Sequence, residues 1–413
     1  MTSAPTTATQ GDGPLSGLKV LELGSTAAGP FCARLLADFG ADVIKIEDIA
    51  GDPVRNLGDS FEGRSLYAAS ILRNKRLVSM DLRQPEIQGI VRKMIPHFDV
   101  VVENFRPGTL EKWGLGYLEL SAINPRIIFT RISGFGQTGP WRGKPGYGVI
   151  GEAVSGLREM IGDPDRPPSR VAIPLTDYIG ALYAAFGTML ALQSRTATGK
   201  GQIVDTALYE AAFSFMEAAV PTFDKLGKNP MRAGAKLPNS APNNLYPTGD
   251  GRFIHITALA DRVFGRLAAA MERPDIALDP KFATQVQRSA NEDELEAMII
   301  EWLSHLSLDQ ADEILANAGV PASRIYRMAD VFDSELYRAR DMILDMPDDR
   351  FGSIKLAGIV PKLSETPGSV FRAGQEAGAD TFDVLIGEFG FDRARIMELE
   401  RQGYVRTSET VPA

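Results

Sequence analysis

Lys19-Val-Leu-Glu-Leu-Gly-Ser-Thr-Ala-Ala-Gly-Pro30, followed by Asp42-Val-Ile-Lys-Ile-Glu47, decides the fold. These two short β-branched runs flank Phe31 to Phe39, where apolar residues recur at helical spacing. A strand, a helix and a strand this close together are joined by a right-handed crossover, so the two strands lie parallel. The pattern is renewed in Leu77-Val-Ser-Met80, Glu86 to Pro96, Asp99-Val-Val-Val102 and Arg126-Ile-Ile-Phe-Thr130. It returns in Gln202-Ile-Val-Asp-Thr-Ala-Leu208 after the turn Gly199-Lys-Gly201. Together these runs predict an α/β domain with a mostly parallel sheet, whose pockets lie beyond the carboxyl ends of the strands.

After a helical run at Tyr209 to Ala219 the composition shifts. Lys225 to Pro247 is long, polar and rich in Asn, Pro and Gly, and reads as a linker or an active-site loop. Arg252-Phe-Ile-His-Ile-Thr257 opens a smaller α+β unit, with helices expected near Asp261 to Met271 and Glu292 to His305 and a closing strand at Ser323-Arg-Ile-Tyr326.

A chain of 413 residues, 44% apolar and 23% charged, is long enough for two or three domains with a large core. Its net charge of −9 argues against broad binding to nucleic acid or to anionic membranes. Cys32 is the one cysteine, which excludes an intrachain disulfide and a cysteine-built zinc cluster. The segment 1–14 lacks the features of a leader and is expected to be a disordered tail. The longest apolar stretch, Tyr178 to Leu192, is shorter than the roughly 20 residues that span a bilayer, so a cytoplasmic protein is expected.

The first β-α-β unit superficially suggests a dinucleotide site, with Glu47 at the end of the second strand. Gly24 and Gly29, however, do not make the required glycine spacing, and Pro30 suits a first helical position. A tight strand-to-helix turn fits better, and its helix amides can still meet a phosphate or a thioester oxygen. Arg73, Lys75 and Arg76 surround Asn74, and Arg106 and Lys112 follow Glu103-Asn104-Phe105. Such clusters are either solvated surface or, at loop ends of one sheet, a grip for phosphates with an aromatic to stack a base. His97, His255 and His305 are the whole histidine inventory, too sparse for a Ser-His-Asp relay or a two-histidine metal site. Asp177 stands where a loop rich in Gly, Pro and charge meets an apolar helix carrying Gly180, Ala181, Ala184, Ala185 and Gly187. A carboxylate there is a helix cap or, kept ionised near helix amides, a nucleophile toward an activated acyl group.

Read in order, Leu15-Ser-Gly-Leu-Lys-Val-Leu-Glu-Leu23, Ala28-Gly-Pro30, Gly40-Ala-Asp-Val-Ile-Lys-Ile-Glu47, Asn74-Lys-Arg76, Glu103-Asn-Phe-Arg-Pro-Gly108, Gly199-Lys-Gly-Gln-Ile-Val-Asp205, Ala318-Gly-Val-Pro-Ala322 and Glu388-Phe-Gly-Phe391 resemble the class III coenzyme A transferases. That family includes formyl-CoA transferase and the carnitine CoA-transferases and is related to the α-methylacyl-CoA racemases. The resemblance implies a Rossmann-like large domain (15–220 with the returning segment 335–413), a small domain at 221–334, and a homodimer of interlinked rings. It implies transfer of CoA from an acyl-CoA, succinyl-CoA being a reasonable donor, to a carboxylic acid, with no metal and no prosthetic group. Asp177 would be the nucleophile, passing through an acyl-aspartyl anhydride and an aspartyl-CoA thioester. CoA contacts would fall on Thr26, Ala27, Asn74, Lys75, Asn104, Phe105, Arg106, Lys112 and Lys144. Tyr147, 30 residues before Asp177, matches an active-site tyrosine. Two departures stand out: a family glutamine is Ala27, and an arginine often found after the second strand is Asp48. A racemase needs a histidine ahead of the acid, and residues 131–176 contain none. A racemase and a non-catalytic CoA-binding protein are the two alternatives.

Overall fold

The computed structural model describes residues 13–349 and 351–407. Most of the expected tail, 1–14, lies outside them, but the Gly13 carbonyl accepts from the Ser16 amide in a turn. Six strands, β1 (Lys19–Glu22), β2 (Asp42–Glu47), β3 (Lys75–Met80), β4 (Val100–Glu103), β5 (Ile128–Ser133) and β6 (Ile203–Ala207), form one sheet in the order β3-β2-β1-β4-β5-β6. All these neighbours pair in parallel, and Val405–Arg406 adds an antiparallel edge beside β3. The chain winds outward from β1 in one direction and returns to build the other half from β4. The order therefore reverses between β1 and β4, which opens a crevice at their carboxyl ends. Strands β1 to β5 are buried almost throughout, which is why they read as near-continuous apolar runs rather than as alternation.

Helix α1 (Ala28–Asp38) carries the first crossover. Pro30 is its third residue, not its first; proline fits anywhere in a first turn because those amides lack an intrahelical partner. Helix α2 (Gly148–Val154) precedes the long helix α3 (Leu175–Thr198), and α4 (Leu208–Phe213) follows β6. α3 starts at Leu175, before the expected Tyr178, and its 24 residues make it long and apolar enough, by length and composition, to cross a membrane. It instead packs against α1, β5 and β6. Gly180, Ala181, Ala184, Thr188 and Ala191 are its buried stripe, and a Cβ on Gly180 or Gly187 would meet Leu208 or Val204 at 2.6 Å. Gly199, at φ 71°, ends the helix in the left-handed conformation that glycine adopts without strain.

The chain divides into two compact units. One comprises Met1–Leu157, Val171–Pro221 and Arg338–Ala413 and holds the sheet; the other comprises Arg158–Arg170 and Thr222–Tyr337. The second has a three-stranded antiparallel sheet of Asn243–Pro247, Phe253–Thr257 and Ala322–Arg324 under helices Asp261–Ala270, Glu292–Ser304 and Leu308–Asn317, around Tyr246, Ile254, Ile256 and Phe264. Its first strand is the end of the polar stretch read as a linker or loop. Asn243 and Asn244 belong in it because their side chains bond His255, Thr257 and Glu296. His255 is accordingly a structural residue. Two helices, Leu208–Phe213 and Ala219–Leu226, replace the single run expected at Tyr209 to Ala219.

Candidate functional site

The crevice opens at the loop that leaves β1. Asn104, just past β4, accepts from the Ser25 amide on Oδ1 (2.7 Å) and donates from Nδ2 to the Ser25 carbonyl (2.9 Å). A Cβ on Gly24 or Gly29 would meet that Oδ1 at 2.9 or 3.1 Å. The two glycines therefore make room for an asparagine, and this explains a spacing that fits no dinucleotide fingerprint. Thr26 follows at φ 68°, a left-handed conformation costly for a β-branched residue. It is held there because its amide donates to Asp52 Oδ1 (2.9 Å).

Asp52 belongs to a buried ionic set beneath this loop. Lys45 Nζ lies 2.8 Å from Asp52 Oδ2 and donates to Glu22 Oε1 (2.9 Å) and to the Gly24 carbonyl (2.6 Å). Lys75 Nζ takes the other Glu22 oxygen at 2.6 Å and the Pro30 carbonyl at 2.7 Å. Burial works against the Asp52 carboxylate, but Lys45 and the Val54 and Thr26 amides outweigh it and hold its pKa below the ordinary value. Burial pushes the Lys75 ammonium down to about 8 despite the pull of Glu22. The set ties strands β1, β2 and β3 to Thr26 and to the first turn of α1.

The first basic cluster is turned inward. Arg73 pairs bidentately with Asp38 (2.9 and 2.6 Å). Asn74 donates to Asp38 (3.0 Å) and to the Ser369 carbonyl (2.8 Å), and accepts from the Phe371 amide (2.9 Å). Asn74 is 2% exposed and Lys75 0%. Neither offers a polar atom to the surface, because the returning C-terminal segment and Glu22 take them up.

The second cluster remains outside. Glu103 accepts from the Phe105 amide (2.7 Å) and from Arg131 Nε (2.5 Å), and Arg131 reaches on to Glu111 (2.6 Å). Burial raises the Glu103 carboxyl to about 7 against the attraction of Arg131. This frame sets Phe105 edge-on to Trp113 (5.4 Å) and leaves Arg106 and Lys112 exposed. Phe105, Trp113, Leu23, Ile46 and Met80 wall a cleft of about 430 Å³ beyond the carboxyl ends of β1 to β4, with Asp48, Asp81 and Arg83 also on its lining.

Asp177 is the third residue of α3 and half-buried. The cap position is Pro174, without a side-chain bond, so neither Asp177 nor Thr176 serves as the N-cap. Gly148, the first residue of α2, lies against the Asp177 carboxylate so closely that a Cβ there would sit 2.0 Å from Oδ2. Beside it Tyr147 is 72% exposed. Tyr178 packs on Phe31 of α1 (4.5 Å between rings) and shares a 2.8 Å hydrogen bond with Tyr67, which joins the N-termini of α3 and α1. The Tyr67 phenol is kept protonated by burial, by Tyr178 and by the negative charge of Asp177. Lys144 is exposed, its ammonium 3.5 Å over the Trp141 ring.

The fold thus gathers Thr26, buried Ala27, Asn104 and Phe105 at the crevice and places Tyr147 beside the glycine that touches Asp177. Gly148, Asp52, Lys45 and Glu22 escaped the sequence reading. A glycine on each side of Tyr147 was a usable sign of close backbone approach, whereas nothing local marks a buried acid or lysine as paired.

The sequence model of CoA-transferase family III matches residues 15–381. The Succinyl-CoA--D-citramalate CoA-transferase of Chloroflexus aurantiacus is 45% identical over 91% of this chain and 94% of its own. The Succinyl-CoA--L-malate CoA-transferase alpha subunit of the same organism is 37% identical over 90% of this chain and 88% of its own. The crystal structure of a CAIB/BAIF family protein from Brucella suis superposes with a TM-score of 0.81, at 33% identity, over 92% of this chain and all of that one. With the doubly wound sheet, the Asn104 clasp and the Asp177 helix start in place, these likenesses put the chain in CoA-transferase family III, as an enzyme that moves coenzyme A between an acyl-CoA and a carboxylic acid.

Proposed function

We propose that the enzyme takes CoA from succinyl-CoA and gives it to a short hydroxy-dicarboxylic acid of the citramalate or malate kind, with Asp177 as the covalent nucleophile. The relatives supply the substrate class. The observation that carries the nucleophile is the Asp177 carboxylate lodged against the bare backbone of Gly148 in the first turn of α3. Helix-end amides favour its ionised form, and the missing Cβ fixes its place without covering it with a side chain.

The steps need no proton. An Asp177 oxygen attacks the thioester carbonyl, the carbon–sulfur bond breaks, and CoA leaves as thiolate from a succinyl-aspartyl anhydride. The thiolate attacks the aspartyl carbonyl and releases succinate, leaving an aspartyl-CoA thioester. The acceptor carboxylate then displaces the thiolate to form a new anhydride. Attack by the thiolate on the acceptor carbonyl completes acceptor-CoA and restores Asp177. One activated acyl replaces another at each stage, so no energy input is required.

The nucleotide end of CoA lies in the cleft walled by Phe105 and Trp113, with Arg106, Lys112 and Lys144 available to its phosphates. Asn74 and Lys75 act from beneath as positioning residues, and Thr26 and Ala27 present the first-turn amides of α1. The working unit is a homodimer of interlinked rings in the cytoplasm. Two observations support the dimer: the second unit is inserted between stretches of the first, and α3 exposes Leu182, Tyr183, Phe186, Met189 and Leu190 on one face. An exposed apolar face of this kind calls for a covering partner. Mixing two separately folded, differently tagged preparations should yield no heterodimer under native conditions; rapid exchange would rule out interlinking.

The test of the nucleophile is chemical. Wild type incubated with succinyl-CoA alone and then with hydroxylamine should carry a hydroxamate on the peptide containing Asp177. Asp177→Asn should carry none and should transfer CoA several orders of magnitude more slowly, with its fold retained. An unmodified Asp177 with near-normal transfer in the variant would return this carboxylate to a structural role.

A further inference from the structure

Two guanidiniums compete for one carboxylate at the end of α1. Arg73 takes both oxygens of Asp38 (2.9 and 2.6 Å), and Asn74 adds a third bond to it (3.0 Å). Arg34, one turn earlier on the helix, stops with its Nε 3.5 Å from Asp38 Oδ2, and that buried nitrogen has no acceptor. The neighbouring cations are matched: Lys45 and Lys75 by Glu22 and Asp52, and Arg55 by Glu47. Arg34 is nonetheless only 15% exposed. Burial and the like charge of Arg73 bring its pKa down to about 10 against the pull of Asp38. It is still a cation at neutral pH, so this corner of the fold is short of one anion.

The contacts of Arg34 lead to the nucleophile. Its guanidinium lies 4.3 Å over the Phe31 ring, and Phe31 packs on Tyr178 at 4.5 Å. Tyr178 follows Asp177 in the chain and shares a 2.8 Å hydrogen bond with Tyr67. The Tyr67 phenol stands in the field of both charges: after burial and Tyr178, the Asp177 carboxylate raises its pKa and the Arg34 guanidinium lowers it. An acid with a carboxylate at each end thus meets a nucleophile for one end and a guanidinium short of an acceptor for the other, with aromatic rings between them for its methylenes.

We propose that Arg34 grips the far carboxylate of a dicarboxylic acyl group, in donor and acceptor alike, and so makes the enzyme selective for diacids over monoacids. Succinate, malate and citramalate all place two carbons between their carboxyl groups, so one guanidinium at a fixed distance from Asp177 serves both halves of the transfer. The inference rests on the substrate class read above and assigns a residue to it.

Isotope exchange between an acyl-CoA and its own free acid tests this, because donor and acceptor are then the same compound. Wild type should exchange succinyl-CoA with labelled succinate about 100-fold or more faster, in kcat/KM, than butyryl-CoA with labelled butyrate, where a methyl group replaces the carboxylate. Arg34→Met should cut that preference to within about fivefold by raising KM for succinyl-CoA and succinate, with butyryl exchange kept within about threefold. Arg34→Lys keeps the charge and the stem but loses the planar fork, so its preference should fall between the two, and it probes the same contact if the methionine variant does not fold. A guanidinium that merely supports Phe31 and Tyr178 would affect both exchanges alike. Equal losses in the two exchanges, or a succinyl preference that survives both substitutions, would overturn the assignment and leave the substrate class standing. Wild type with no preference for succinate over butyrate would bring down the diacid reading itself, and the assignment with it.

Discussion

The two ends of the site are held in opposite ways. Under Thr26 and the start of α1 lie Glu22, Lys45, Asp52 and Lys75, four charged groups at most 2% exposed that fix a strained loop through ion pairs and amide bonds. Beside Asp177 the backbone packs closely at several glycines. Gly148 abuts the carboxylate, Gly151 abuts the Leu208–Tyr209 backbone, and Gly134 and Gly146 touch backbone to backbone. Electrostatic attraction falls off slowly with distance, so the first arrangement tolerates small displacements but depends on protonation. Close packing has no such reach. The second arrangement should be indifferent to pH and intolerant of a single methyl group.

The largest effect that distinguishes the two ends is expected from Gly148→Ala. Gly148 has no left-handed backbone, so alanine suits the helix start, and the conflict is with Asp177: its Cβ would lie 2.0 Å from Oδ2, 2.7 Å from Cγ and 3.1 Å from the backbone nitrogen. Relieving it displaces the carboxylate by about an ångström, which should lower transfer on the order of 100-fold with little change in thermal stability. Steady-state kinetics beside a melting curve checks this, and transfer within about threefold of wild type would remove steric placement from the account.

Glu22→Gln probes the other end. It leaves Lys45 and Lys75 with Asp52 as the one remaining acid of the set, and breaking a buried pair in this way should cost about 3 kcal/mol at pH 7. Lys75→Met should cost less, because Glu22 keeps Lys45 and the lost ammonium was the less favourably placed of the two. Burial dominates Lys75, whereas at Lys45 the attraction of Asp52 and Glu22 overcomes it. Denaturant titration ranks the two variants. The reverse order would mean that Lys75, not Lys45, is the main partner of Glu22.

That ranking could not have been read from the sequence, although much of the scaffold could. Val20-Leu-Glu-Leu and Val43-Ile-Lys-Ile announce buried parallel strands because apolar residues occupy both faces. The polar members of those strands, Glu22 and Lys45, look like breaks in the pattern until tertiary structure pairs them across two strands. Arg73, Asn74 and Lys75 misled for the same reason. Loop charge reads as surface, and only the returning residues 369–372 and Asp38 show it to be an interior clasp. Asp177 was visible as an acid at a helix start, but whether it caps that helix could not be decided without knowing that the helix begins at Leu175. The hairpin of Ile343–Asp348 and Gly352–Ala357 left no usable signal, since Pro347, Asp345 and Asp348 interrupt its first strand.

The smallest expected effect is the most specific to the ionic end. Lys75 titrates near 8 in the folded enzyme and at its ordinary 10.5 when unfolded. Between those values the unfolded chain binds more protons, so the contribution of this group to unfolding free energy rises with pH from about 8 to 10.5. Lys75→Met lacks that contribution, and wild type should gain on it as pH is raised through the window. In Glu22→Gln the lysine loses the carboxylate that sustained its charge. Its native pKa then falls below 8, the rising window opens at lower pH, and the deficit against wild type should narrow between pH 7 and 9. Over the same interval the activity deficit of Gly148→Ala should stay flat, because a steric contact carries no proton. Urea titrations of wild type and both ionic variants at pH 7, 8 and 9 decide the matter. Parallel stability profiles would show that Lys75 keeps its proton throughout, and the contrast between a protonation-dependent end and a closely packed end would then rest on Asp52 and Lys45 alone.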